Sequence, residues 1–88
     1  MDSEYYLRFM VVDRPGVLAK ISGILGAHDI SIASVIQKER EHGASLPIVI
    51  RTHQARERNL RQALRQIDRL AAVRAKSVLI RIENSLGQ

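Results

Sequence analysis

The stretch Val11-Val12-Asp13-Arg14-Pro15-Gly16-Val17-Leu18-Ala19 constrains the fold more than any other in the chain. It ends an apolar strand, turns sharply and opens an amphipathic helix. Pro15 suits the first helical position, because its missing N–H would be unpaired there and its φ is already helical. Gly16 lets a ligand approach the backbone without meeting a Cβ. Unpaired N–H groups and the positive end of the helix dipole then face outward and favour a carboxylate or phosphate. Asp13 adds a negative charge beside that positive end, and two signs a few ångströms apart suit a zwitterion such as a free amino acid. The same residues also fit a plain strand-to-helix turn in which Asp13 or Arg14 caps the helix.

Around this turn the pattern of apolar residues is regular. Tyr5 to Val12 alternates, with Leu7, Phe9 and Val11 on one face and Tyr6, Arg8 and Met10 on the other, which predicts a strand. From Pro15 to about His28, Val17, Leu18, Ile21, Ile24 and Leu25 have helical spacing, and Asp29 ends the helix where a left-handed residue is expected. Ile30 to Gln37 reads as a second strand. Lys38 to Gly43 reads as a charged hairpin loop in which Gly43 takes positive φ, and Leu46 to Thr52 as a third strand. A second helix is predicted from about Arg56 to Leu70. It buries Leu60, Ala63, Leu64, Ile67 and Leu70 and turns Arg58, Arg61, Arg65 and Arg69 outward. Lys76 to Ile82 completes the set as a last strand, with Val78, Ile80 and Ile82 on one face.

The order βαββαβ, with right-handed crossovers, predicts a ferredoxin-like α+β domain. Its four-stranded antiparallel sheet has the strand order 4-1-3-2, with two helices on one face. The domain spans residues 5–83, with flexible ends at 1–4 and 84–88. The second strand falls at an edge that carries Ile30, Ile32, Val35 and Ile36, with no lysine before Lys38. Such an edge invites pairing with a second copy, or cover by a neighbouring domain. An 88-residue chain buries only roughly 60–65% of its unfolded surface, so a dimer contact would also help stability.

Composition narrows the function classes. With no cysteine, disulfide scaffolds and thiolate metal sites are excluded and a reducing cytoplasm is the expected location. No apolar run approaches the roughly 20 residues that span a bilayer, and Met1-Asp2-Ser3-Glu4 does not read as a signal peptide. A net charge of +5 keeps nucleic acid in view, and Arg8, Arg51 and Arg81 are expected to share the open sheet face with Tyr6. RNA-binding sheets, however, stack bases on aromatics of the central strands; aromatics are only 3% of this chain and the third strand has none. No nucleic-acid or membrane partner is therefore expected. His28, His42 and His53 show no metal-ligand spacing, no nucleophile has an evident base, and the five glycines build no G-x-G-x-x-G. Neither a metal nor catalytic residues nor a cofactor is expected in this chain.

Asp13-Arg14-Pro15-Gly16-Val17-Leu18 followed by Ile30-Ser31-Ile32 resembles the ACT domain, the small βαββαβ module that senses amino acids in metabolic enzymes. A narrower likeness covers Tyr5 to about Glu83. Tyr5-Tyr6-Leu7-Arg8-Phe9, Ser34-Val35-Ile36-Gln37-Lys38-Glu39 and Thr52-His53 are similar to the C-terminal regulatory segment of bacterial homoserine dehydrogenases. Asp29 and Arg51 depart from the usual glycine and apolar residue at those positions. The resemblance implies an allosteric domain in threonine, methionine and isoleucine biosynthesis, beside an NAD(P)-dependent catalytic domain. Threonine is the expected effector. It implies a homodimer through the second strand and an effector site in which the N–H groups of Gly16, Val17 and Leu18 receive the carboxylate. Asp13 would take the ammonium, and Ile30, Ser31 and Ile32 of the partner would close the pocket. The alternative is an ACT domain of another enzyme, or a stand-alone amino-acid sensor.

Overall fold

The computed structural model describes residues 2–37 and 45–83. The expected hairpin loop with Gly43 and His42, and the expected flexible end at 84–88, lie outside the described residues.

Alternation shapes the central strand, β2 (Tyr5–Val12): Tyr5, Leu7, Phe9 and Val11 are buried, while Tyr6 and Arg8 face out. A two-residue strand, β1 (Asp2–Ser3), precedes it. Helix α1 spans Val17–Ala27, and after it come β3 (Ile32–Gln37), β4 (Ser45–Thr52), the short β5 (Ala55–Arg56), α2 (Glu57–Ile67) and β6 (Val78–Arg81). The main sheet has the order β3-β4-β2-β6, and all its pairings are antiparallel. This is the expected ferredoxin-like α+β topology, with β3 at an edge. Val17, Ile21 and Leu25 from α1, and Leu60, Ala63, Leu64 and Ile67 from α2, close one face of the sheet over Phe9, Ile48 and Ile50.

The C-terminal end of α1 follows the expected left-handed exit. Asp29 has φ 62°, its N–H donates to the Gly26 carbonyl at 3.0 Å, and the Ile30 N–H donates to the Leu25 carbonyl at 3.0 Å. That is a Schellman motif with aspartate in the position glycine usually fills, and its apolar contact is the buried pair Ile30 and Leu25.

Several details differ from the sequence reading. Asp2–Ser3, placed in a flexible end, pair with Ala55–Arg56. The second strand starts at Ile32 rather than Ile30, because Ile30 turns inward (4% exposed) to finish the helix cap. Helix α2 stops at Ile67, and Asp68 then leaves the helix to bind Ser77: the Ser77 N–H and hydroxyl each donate to its carboxylate at 3.0 Å. Arg81 pairs with Tyr5, not Tyr6, so it lies on the helix side of the sheet and not on the open face with Arg8 and Arg51. Val78 and Ile80 do share a face, but it is the open one; Leu79, paired with Leu7, meets the core instead. Because side chains alternate strictly, one step in register decides which set is buried.

Among the described residues Thr52 is the buried polar one that is neither aromatic nor apolar, at 0% exposure. Its hydroxyl donates to the His53 carbonyl at 2.7 Å and accepts the Tyr5 N–H at 3.2 Å. Thr52→Val keeps the shape but leaves the Tyr5 N–H without its acceptor, which costs about 1–3 kcal/mol. Urea unfolding should read that loss, and a variant as stable as the parent would remove this bond from the account of the fold.

Candidate functional site

The turn after β2 is held from both ends. On the free edge of β2 beyond β6, the Val12 N–H donates to the Ala72 carbonyl at 2.9 Å and the Arg74 N–H to the Met10 carbonyl at 2.8 Å. This segment, which the sequence pattern does not reveal, fixes the strand where it enters the turn. Gly16 then takes φ 85° and ψ −8°, and the Val17 N–H reaches the Arg14 carbonyl at a long 3.4 Å. With proline before it, Gly16 occupies the second central position of a type II turn, where positive φ excludes most side chains.

Pro15 is therefore not the first helical residue. It precedes the N-cap, which is Gly16, whose carbonyl accepts the Lys20 N–H at 3.1 Å. Neither Asp13 nor Arg14 is the N-cap residue; that position is Gly16, which brings no side-chain hydrogen bond. The N–H groups of Gly16 and Leu18 meet no backbone acceptor among the described residues, as expected for a first helical turn. Val17 is the exception among the three expected donors, its N–H being drawn into the turn.

Asp13, Arg14, Pro15, Gly16, Val17 and Leu18 together line an open depression of about 390 Å³ with Val11, Val12 and Ala19. Across from them stand Leu46, Pro47 and Ile48 of β4 and Gln37 at the end of β3. The lining is thus mixed, apolar along β4 and polar at the turn and at Gln37, and the volume is within the size range of small-molecule sites. Sequence reasoning missed Gln37 and the β4 residues because only the sheet register carries them to the turn; Gln37 pairs with Ile48.

Ile30, Ser31 and Ile32 do not join this depression within one chain. Ile32 pairs with Thr52 at the opposite end of β3, five residues or about 17 Å from Gln37. Ser31 is exposed and its carbonyl accepts the His53 N–H at 2.9 Å, while Ile30 is in the core. His28 contacts Gln66 at 3.1 Å between the ends of the two helices.

The perturbed ionisable groups lie elsewhere, in a smaller cleft lined by Ser3, Tyr5, Arg56, Glu57, Arg58 and Arg81. Burial, and then the Glu57 carboxylate, push the Tyr5 hydroxyl up; a 2.8 Å hydrogen bond from Arg61 holds Glu57 below the usual carboxylate range. Each perturbation has a local structural cause, so it does not compete with the turn as a ligand site. Among the described residues no helix is long and apolar enough to cross a membrane.

Comparisons with known proteins agree on the family. The ACT domain family model matches residues 5–72. Homoserine dehydrogenase of Methylobacillus glycogenes is 43% identical over 84 residues, which is 94% of this chain and 20% of that protein. A crystal structure of a homoserine dehydrogenase from Thiobacillus denitrificans superposes with a TM-score of 0.84 at 40% identity, covering 94% of this chain and 18% of that one. The regulatory subunit of aspartate kinase from Thermus thermophilus shares the fold, with a TM-score of 0.70 at 18% identity over 89% of this chain and 51% of that one. The chain spans about a fifth of the length of the homoserine dehydrogenases it matches. With the fold, the turn and the family model in agreement, the chain belongs to the ACT domain family.

Proposed function

We propose that this ACT domain binds a free amino acid, threonine, at the turn between β2 and α1, and thereby controls an NAD(P)-dependent homoserine dehydrogenase by feedback. The carrying observation is the depression itself, lined by Asp13, by Gly16 and Leu18, whose N–H groups meet no backbone acceptor among the described residues, and by Leu46, Pro47 and Ile48 of β4. The carboxylate sits on the N–H groups at the start of α1, the ammonium on Asp13, and the aliphatic part of the side chain against Leu46 and Ile48. Gln37 supplies a hydrogen-bonding partner for a side-chain hydroxyl.

The second copy enters through β3. Antiparallel pairing of two β3 strands about a twofold axis between Ser34 and Val35 brings Ile32 of the partner subunit beside Gln37. Ser31 of the partner subunit then stands at the mouth of the depression. This gives Ser31 and Ile32 a place in the site that one chain alone does not provide, while Ile30 stays in its own chain's core. Exposure of Val35 (38%) and Ile36 (62%) on this edge supports the pairing. A ligand held between two copies shifts their packing, and coupling of about 1–3 kcal/mol suffices for feedback control. A cytoplasmic setting follows from this role.

A thermal-shift screen of the standard amino acids, with sedimentation of each hit, tests this reading. A ligand at 100 times its Kd stabilises the folded state by about 2.7 kcal/mol, so threonine should raise the melting temperature by on the order of 10 °C and favour the dimer. A flat response to every amino acid at millimolar concentration would sink the proposal.

A further inference from the structure

Strand β6 is the other edge of the main sheet, and its outer side is unpaired among the described residues. The Ile82 N–H donates to the Glu4 carbonyl at 2.9 Å, and Ile80 and Val78 stand opposite Tyr6 and Arg8. Along an antiparallel pair, backbone groups point alternately at the partner strand and away from it. Val78, Ile80 and Ile82 therefore turn their backbone groups to β2, while Ser77, Leu79 and Arg81 turn theirs outward. The Asp68 carboxylate already accepts the outward Ser77 N–H at 3.0 Å. Beyond it, the N–H and carbonyl groups of Leu79 and Arg81 meet no backbone partner among the described residues. Such a row is a template for one more strand.

The surroundings of this row are basic on one side and apolar on the other. A groove of about 390 Å³ runs between α2 and the start of β6, with Arg61, Arg65, Lys76 and Ser77 around Leu64 and Leu79. Arg58 and Arg81 line the adjoining cleft. Glu57 holds Arg61 at 2.8 Å and Glu83 holds Arg81 at 2.8 Å, whereas Arg58, Arg65 and Lys76 have no carboxylate partner among the described residues. On the opposite face of the sheet, Val78 and Ile80 are 42% and 56% exposed.

These features select the occupant. Pairing β6 with a second β6 would bring two arginine-bearing α2 faces together with no free carboxylate to offset them, and charged edges of this kind resist self-pairing. A nucleic acid would use the arginines but not the outward N–H and carbonyl row, and Tyr5 of the cleft is buried, with no ring face free for stacking. An extended segment with carboxylates at alternate positions satisfies both. Its side chains alternate, so one set lies under α2 beside Leu79 and Arg81 and the other beside Val78 and Ile80. We propose that the free edge of β6 takes up an extended acidic segment of a partner protein as an added strand, its carboxylates toward Arg58, Arg65 and Lys76 and its apolar residues toward Val78 and Ile80. The groove shares no lining residue with the depression at the turn, and the contact does not depend on the ligand reading. A short backbone row flanked by exposed cations makes a weak, salt-sensitive site, with a Kd on the order of 100 µM.

Anisotropy of a fluorescent heptapeptide of alternating glutamate and valine, titrated with the full chain to about 1 mM, tests the proposal. Binding should weaken about tenfold between about 50 and 300 mM salt. The same residues arranged as a glutamate block and a valine block should bind at least about fivefold more weakly, because only alternation fits a strand. Arg65→Glu should weaken binding by about tenfold or more. Arg81→Pro removes an outward N–H and spares the ladder to β2, so it should bind at least about fivefold more weakly than Arg81→Ala. Circular dichroism checks folding; should Arg81→Pro fail to fold, a peptide N-methylated along one edge makes the same comparison on the parent chain. Absence of binding at 1 mM overturns the proposal, as does a block peptide or an N-methylated peptide that binds like the alternating one. A single-stranded RNA oligonucleotide that binds more tightly than the peptide overturns it too, and a sedimentation mass that falls on Arg81→Pro would give the edge to a second copy instead.

Discussion

Asp13→Ala should lower threonine affinity by about ten- to hundredfold, since a hydrogen bond to a charged group contributes about 1.5–3 kcal/mol. Asp13 lines the depression beside the start of α1, where it is the acidic residue among the described ones. Removing it leaves the ammonium of the amino acid facing apolar walls and a positive helix end, with nothing to balance its charge. Asp13→Asn keeps the shape and a hydrogen-bond acceptor but not the charge, so its affinity should fall between the two. Isothermal titration of the parent and both variants gives the comparison, and the melting temperature of each unliganded chain controls for any change in the turn itself. Equal affinity in all three would take Asp13 out of the site and leave the N–H groups of Gly16 and Leu18 to account for binding alone.

Phe9→Ala is expected to have the largest effect on stability. Phe9 is fully buried and pairs with Ile48, between the sheet and both helices. Truncating a buried phenylalanine costs about 3–5 kcal/mol through lost transfer energy and the cavity left behind. A domain of this size has roughly 5–10 kcal/mol in total, and its melting temperature should drop by about 15–30 °C. Tyr6→Ala, one position away on the open face, should cost under about 1 kcal/mol in dilute solution. Thermal melts followed by circular dichroism separate the two. Similar losses at both positions would mean that β2 does not present alternate faces to core and solvent. The site would feel the Phe9 change too, because Val11 and Val12, which lead into the turn, lie on the same strand.

The same strand shows how far local pattern reaches. Alternation over Tyr5 to Val12 and helical spacing over Val17 to Leu25 each follow from the geometry of one element, and the structure places those elements where the pattern predicts them. The left-handed exit at Asp29 is equally local, because the helix end itself creates the need for it. Asp13 to Leu18 also read as one site, since six consecutive residues cannot be far apart.

Other features depend on contacts between distant residues. Pro15 and Gly16 have local preferences compatible with either a helix start or a type II turn; the turn wins once β2 is pinned by Ala72 and Arg74 and the helix axis by its buried stripe. Gln37, Leu46, Pro47 and Ile48 reach the site only through the β3–β4 register, and the same register carries Ile32 to the far end. Arg81 lies on the helix side of the sheet instead of the expected open face because of the β2–β6 register.

What the sequence by itself determined is the two helices, the four strands of the main sheet and their order, because each is fixed by residues within one or two helical turns or strand repeats of one another. What only the tertiary structure decided is which strand residue stands opposite which. Pairing with a period of two gives every strand two faces, and the choice between them is made by long-range packing that no single segment encodes.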